Sequence, residues 1–252
     1  MALVSVALCS NTVNEYFYKA IDSLLSQTFK DIEIIIVLNG EAKDKANEIV
    51  SKYENIECMK VIATNISYIN HSLNLAIDHS SSKYVARMDA DDISYPNRIE
   101  MQWKFMEANP QVGMCGSWYD LIDKDDLFVS QVQKPCSDQD IRRSMIYRNP
   151  FCHPTVMFRK QIVASLGGYL NGMYAEDYDL WVRMVRVSEL KFANIPESLL
   201  GYRHISNGAA RGSRIAYRSV SEVAWREFIS SGSPRWLFAS ILSAIKAFII
   251  GR

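Results

Sequence analysis

The 252-residue sequence has no Cys-x-x-Cys pair, and its five cysteines (Cys9, Cys58, Cys115, Cys136 and Cys152) are scattered and odd in number. That usage excludes a disulfide framework and fits reduced thiols in the cytosol. The first residues have neither the basic start nor the long apolar stretch of a secretory signal. No stretch reaches the ~18–20 apolar residues of a spanning helix, so a cytoplasmic protein is expected. No Gly-x-Gly-x-x-Gly follows the first apolar run, which argues against a nicotinamide dehydrogenase. Repeats, low-complexity tracts and linkers are missing through about residue 205. Net charge is missing too, with 28 Lys/Arg against 28 Asp/Glu. The balance conceals a split: eight Lys/Arg and two acids from Gly201 onward leave the tail at +6 and residues 1–200 at −6. Such a tail is drawn to phosphate or anionic lipid, and no nucleic-acid partner is expected.

What the chain does have is apolar residue, 48% of it, arranged in short runs. "LVSVALC" (3–9), "IEIIIVL" (32–38), "CMKVIA" (58–63) and "KYVARM" (83–88) predict strands, with helical patterns to about Gln27, to about Tyr53 and over 68–79 between them. Strand, helix, strand at this spacing predicts an α/β fold: a Rossmann-like, mostly parallel sheet with flanking helices. Ligands bind such sheets at the carboxyl ends of the strands. Asn11, Asn39 and Asp89–Asp92 fall just past strand ends and are expected at one edge. After Pro96 a helix to about Ala108 precedes a mixed second half: a hairpin from "VGMCGSWYDLI" and "LFVSQVQ", a strand at "PTVMF" and a helix at "AEDYDLWVRMVR". The organisation expected is one domain over 1–205, with a nucleotide-binding half (1–110) and an acceptor half (111–205), then a helical tail over 206–252.

"YVARMDADDIS" (84–94) packs Asp89, Asp91 and Asp92 into four positions after a buried run. Mutual repulsion and desolvation oppose this, and a single helix cap leaves two carboxylates unexplained. A divalent cation with hard oxygen ligands offsets the repulsion and can neutralise a diphosphate. An aspartate-nucleophile phosphatase also carries Asp-x-Asp after a strand, but after its first, with Thr or Val where Ile93 stands here.

"ARMDADDISYPNRIEMQ", "HPTVMFRK", "LGGY" and "YAEDYDLWVRM", in that order and spacing, resemble the family 2 glycosyltransferases, and "AIDSLLSQTFKDIEIIIV" matches that family's amino-terminal half. The resemblance covers roughly residues 3–205 and implies an inverting enzyme of the GT-A fold with Mn²⁺ or Mg²⁺. It implies Asp89 on the donor's ribose, Asp91 and Asp89 near the metal, and Asp92 supporting the loop or a metal-bound water. Arg87 and Arg98 are candidates to orient these carboxylates or to form surface ion pairs, and Ser10, Asn11 and Asn39 join Arg87 in the expected donor site. The resemblance makes Asp177 the general base and Glu176 its neighbour; a base alone suffices where the metal stabilises the leaving group. The rival reading of both acids is complementing a helix start, and Asp179 is expected to be structural. His153, Trp181 and Arg203 are candidates for the acceptor or diphosphate, Trp181 with the core as its rival, and His204 for the metal.

Three departures from the family pattern matter. Leu38-Asn39-Gly40 replaces Asp-Asp-Gly, Ser10-Asn11-Thr12 lacks the usual proline, and Arg203 and His204 are adjacent where the family separates them by one residue. Asn39 retains a donor and an acceptor for a uracil edge. The Gln-x-x-Arg-Trp motif of processive synthases is absent, since "GSPRW" (232–236) has no Gln and comes too late, so one sugar per encounter is expected.

In the tail, Leu237, Phe238, Ile241, Leu242, Ile245, Phe248 and Ile249 share one helical arc, and Arg235, Ser240, Ser243 and Lys246 the other. Arg211, Arg214 and Arg218 share a face upstream. Such a helix suits a membrane interface, and packing onto the domain or against a second copy is the alternative. The combined expectation is a UDP-hexose or UDP-N-acetylhexosamine donor and a polyprenyl-diphosphate-linked saccharide acceptor, used by an enzyme peripheral on the inner face of the cytoplasmic membrane. The phosphatase and a non-catalytic sugar-nucleotide binder remain as alternatives.

Overall fold

The computed structural model describes residues 2–170, 174–204 and 213–250. Strand β1 (Val4–Ser10) is buried along its whole length and lies between β2 (Ile32–Leu38) and a later strand, so residues of both parities must be apolar or satisfied. Val4, Val6 and Leu8 face one side, where α1 (Glu15–Leu25) buries Phe17, Ala20, Ile21 and Leu24. That spacing of three, four and seven makes the apolar stripe, and the Asn14 side chain caps the helix by accepting from the Phe17 amide at 3.1 Å. Ala7 and Cys9 face the other side. Ser5 shares that side, satisfied by Ser80 at 2.6 Å and Glu33 at 2.5 Å.

A 3-10 turn at Gly40–Lys45 leads into α2 (Ala46–Lys52) and the edge strand β3 (Met59–Ala63). Helix α3 (Ile69–His79) crosses to β4 (Tyr84–Asp89), which runs parallel to β1. The short β5 (Ile93–Ser94) and α4 (Arg98–Ala108) follow. Beyond them come β6 (Val112–Ile122), β7 (Phe128–Val132), α5 (Asp138–Ser144), β8 (Met157–Arg159), α6 (Lys160–Ser165), α7 (Glu176–Val185) and β9 (Lys191–Arg203). The sheet runs β3-β2-β1-β4-β8-β6-β9-β5, with β7 on β6, so one sheet spans both halves of the chain. Strands β3, β2, β1 and β4 are parallel, and β8 reverses direction against β4 and β6.

The predicted strands and helices of the first 110 residues are present. Strand β9 is not among the expectations: Pro196 and two polar neighbours interrupt its pattern, and its pairing with β6 shifts register at that point. The tail forms two helices, α8 (Arg214–Ser231) and α9 (Pro234–Ile250), joined at Gly232, whose φ of 65° lies in the left-handed region. No described helix is long and apolar enough to cross a membrane.

Candidate active site

Parallel register brings three strand ends to one edge: Cys9 pairs with Asp89, Ser10 pairs with Leu38, and the Asn39 amide donates to the Ser10 carbonyl at 2.9 Å. The loop after β4 is fixed by Gln27 at the end of α1. Its Nε2 donates to the Ser94 hydroxyl (3.1 Å) and Tyr95 carbonyl (2.9 Å), and its Oε1 accepts from the Ile99 amide (3.1 Å) in the first turn of α4. Gln27 falls within the resembling segment 20–37, but a glutamine past a helix end carries no chemistry from which this role could be read.

The loop gathers the carboxylates. Ligand atoms of Asp89, Asp91 and Asp92 lie within 4.8 Å of one another. Arg87, buried in β4, pairs with Asp89 at 2.5 Å. Arg98 is no surface residue: it is fully buried and holds the loop from behind, donating to the Arg87 carbonyl at 2.6 Å. Asp92 is buried; its Oδ1 accepts from the Arg203 amide at 2.9 Å, and its Oδ2 has no partner among the described residues. Burial, then the charges of Asp89 and Asp91, push the Asp92 carboxyl well above its ordinary range, and burial raises Asp91 as well. Hard oxygens, close spacing and an unpartnered buried lone pair fit a divalent cation.

Two clefts meet at Asp89. One, of about 350 Å³, is lined by Ser10, Asn11, Tyr16, Asn39, Asp89 and Asp91. Within it Asn39 donates to Ser72 at 2.8 Å while its Oδ1 is left without a partner. The other, of about 750 Å³, is lined by Arg87, Asp89, Asn149, His153, Glu176 and Asp177, among others. Glu176 and Asp177 open α7, where the helix dipole favours negative charge. Asp177 accepts from the Tyr178 amide at 2.7 Å and from Asn149 Nδ2 at 2.6 Å. Burial raises Asp177, and burial together with the Asp177 charge pushes Glu176 up to about 7. Asn149 is itself aimed, since its Oδ1 accepts from the Phe151 amide at 3.1 Å. Sequence reasoning missed it; "RNPF" carries no motif.

Arg203 and His204 stand away from their expected places, and Trp181 takes the core alternative. Trp181 cannot touch an acceptor: it is fully buried, edge-on to Phe151 and His153 at 5.8 and 5.9 Å between ring centroids. Arg203 lines neither cleft. Its Nε donates to the Asp91 carbonyl (2.7 Å), Nη1 to the Asp123 carbonyl (2.8 Å), and it pairs with Asp126 at 2.5 Å, so it braces the acidic loop rather than a diphosphate. His204 is exposed and stands outside the carboxylate cluster, held by its amide to the Ile122 carbonyl at 2.9 Å; Asp92 is the third member instead. His153 does line the larger cleft, bonded to the Tyr169 hydroxyl at 2.9 Å. Burial, then Arg87, hold its pKa well below the ordinary value, so it is neutral near pH 7 and offers no charge to a diphosphate. Asp179 is structural, fully buried between Arg183 (2.9 Å) and Arg226. Arg211 of the basic face and Arg252 at the end of the tail lie outside the described residues.

Comparisons place this geometry among known proteins. The family model for glycosyl transferase family 2 matches residues 5–167. An O-antigen biosynthesis glycosyltransferase of Escherichia coli, WbnJ, is 31% identical over 249 residues, covering 98% of this chain and 97% of that protein. The E. coli UDP-Gal:alpha-D-GlcNAc-diphosphoundecaprenol beta-1,3-galactosyltransferase is 28% identical over 82% of this chain and 75% of its own. The mannosyltransferase PcManGT of Pyrobaculum calidifontis, solved with GDP-Man and Mn²⁺, superposes with a TM-score of 0.67 at 14% identity, over 98% of this chain and 73% of that one. A phosphatase reading has no support left, and the acidic edge belongs to a sugar transferase with the GT-A fold: this chain is a member of glycosyl transferase family 2.

Proposed function

We propose that the chain transfers one sugar per encounter, with inversion, from a UDP-hexose or UDP-N-acetylhexosamine to a hydroxyl of a lipid-diphosphate-linked saccharide during synthesis of a bacterial surface polysaccharide. The observation that carries this is the shared wall at Asp89: a nucleotide-sized cleft lined by Asp89 and Asp91, with Asp92 buried behind them, adjoins a larger cleft lined by Glu176 and Asp177. One E. coli relative is an O-antigen biosynthesis glycosyltransferase and the other a galactosyltransferase with a UDP-Gal donor and a diphosphoundecaprenol-linked acceptor, which supports the same substrate class here.

Asp89, Asp91 and Asp92 would hold Mn²⁺ or Mg²⁺, which supplies positive charge beside a departing diphosphate. Asn39, whose Oδ1 has no partner among the described residues, would meet the uracil edge, with Ser10 and Asn11 lining the same cleft. In the larger cleft the acceptor hydroxyl gives its proton to a carboxylate oxygen of Asp177. Its oxygen bonds to the anomeric carbon from the face opposite the nucleotide, and the carbon–oxygen bond to phosphate breaks with its electron pair leaving on UDP. Residues 1–205 serve as the transfer domain, and α9 lies on the cytoplasmic face of an anionic bilayer.

The test is UDP release and product formation with a panel of UDP-sugars and saccharide acceptors, with Mn²⁺ or Mg²⁺ and with chelator. Asp177→Asn is expected to lower kcat by about 10²–10⁴ while UDP still binds. Full activity in Asp177→Asn, or in Asp91→Ala with chelator, would sink the reading.

A further inference from the structure

The larger cleft has a wall that motif reading assigns no part in catalysis. Tyr217 and Val220 of α8 and Ser243 and Lys246 of α9 line it together with Glu176 and Asp177. Two further cations line it: Lys134, which donates to the Asn149 carbonyl at 3.4 Å, and Arg148. Among the described residues Lys246 and Arg148 form no ion pair; Lys246 has only the Tyr217 ring, at 5.7 Å from its centroid. Three cations from three separate segments thus face a cavity whose acids, Asp89, Glu176 and Asp177, belong to the donor and base. Lys246 and Arg148, facing an open cleft with no ion-pair partner among the described residues, suit an anionic ligand.

The rim gives that ligand's other end. Tyr147, exposed and lining the same cleft, packs edge-on against Phe238 with 6.4 Å between centroids. Phe238 begins the row Phe238, Ile241, Ile245, Phe248 and Ile249 along α9, each 49–64% exposed. An apolar path therefore leaves the cationic cleft through Tyr147 and continues on the outer face of α9. On the reading given above, we infer that the tail is part of the acceptor site. Lys246, with Arg148 and Lys134, binds the diphosphate of a prenyl-diphosphate-linked saccharide, and the prenyl chain runs past Tyr147 onto α9. The tail then selects the acceptor as well as the location.

Farnesyl diphosphate is the probe, titrated into the full chain in non-ionic detergent with saturating UDP and Mn²⁺, so that the donor cleft is filled. Lys246→Gln and Arg148→Gln are each expected to weaken its binding about tenfold, Lys246→Arg to retain most of it, and farnesyl monophosphate to bind less well than the diphosphate. UDP binding, titrated separately, is expected to stay at its wild-type value. Unchanged farnesyl diphosphate affinity in both Gln variants, or its loss once UDP and Mn²⁺ are present, would overturn the assignment. So would phosphatidylglycerol vesicles binding with the same Lys246 dependence, which would make the subsite one for any lipid phosphate. A wild-type chain that fails to bind UDP with Mn²⁺ overturns the transferase reading instead, and the separate UDP titration tells the two failures apart.

Discussion

Asp177 is pulled two ways: burial disfavours its charge, while hydrogen bonds from the Tyr178 amide and Asn149 favour it. Replacing Asn149 with Ala removes only one of the stabilising groups, so the Asp177 pKa rises further and the acid limb of the kcat–pH profile moves to higher pH. Activity lost on the acid side of the profile is expected to return as pH is raised, whereas a merely misfolded variant would not recover. Glu176 supplies a second titration. Its folded pKa of about 7 exceeds the ordinary 4.5, so the folded state binds the extra proton. Its contribution to stability is therefore complete below about pH 4.5 and is lost as pH rises through 7. Glu176→Gln, which cannot ionise, is expected to lose less unfolding free energy than wild type between pH 5 and 8, by about 2–3 kcal/mol, read from denaturation curves at each pH. Parallel curves for the two proteins would refute the assignment.

Helix α7 connects the site to the tail, and its Asp179 is the joint. The carboxylate is fully buried, paired with Arg183 one turn on and with Arg226 of α8, while Arg186 of α7 pairs with Glu227. Asp179→Ala leaves Arg183 mostly buried without its counter-charge, a change that costs about 3–5 kcal/mol. A large drop in melting temperature is expected, with lost protection of α8 amides in hydrogen exchange; an unshifted midpoint would make the network decorative. Elements also mark how far sequence pattern reaches. The runs 3–9 and 32–38 were readable because parallel strands buried on both faces are continuously apolar. Strand β9 was not readable, because its Pro196 bulge and polar residues break the alternation that a single chain shows. The site divides in the same way. The Asp cluster and Glu176-Asp177 lie in contiguous motifs, whereas Gln27 and Asn149 act across 67 and 28 residues of sequence. Arg203 and His204 lie away from their expected places because a motif fixes position in the chain, while packing and backbone pairing decide where a side chain ends up.

For the molecule as a whole, α9 is inside out relative to an ordinary packed helix. It turns Ala239, Ser240, Ser243 and Ala247 toward the protein, with Ser240 and Ser221 exchanging hydrogen bonds at 2.9 and 3.0 Å, and shows solvent its large apolar residues. A small-residue seam lets two helices approach closely, and it forgoes the hydrophobic gain available from Phe238, Ile241, Ile245 and Phe248. That choice is explained if a second apolar phase covers the row. Arg214, Arg218 and Arg235 are exposed on the same helix pair, and each cation near an anionic surface contributes about 1 kcal/mol. Burying an isoleucine contributes roughly 2 kcal/mol, so Ile241→Glu with Ile245→Glu is expected to lower partitioning onto phosphatidylglycerol vesicles by a hundredfold or more. Both side chains are half exposed and stand outside the core, so melting temperature and UDP binding should hold. Point changes test this better than deleting residues 233–252, which would also uncover the face of α8 that Ser240 covers. Raising salt should weaken the wild type's binding without abolishing it, because the arginine part is screened and the apolar part is not. Equal co-sedimentation of wild type and double variant at every salt concentration would show that the row meets something other than a bilayer.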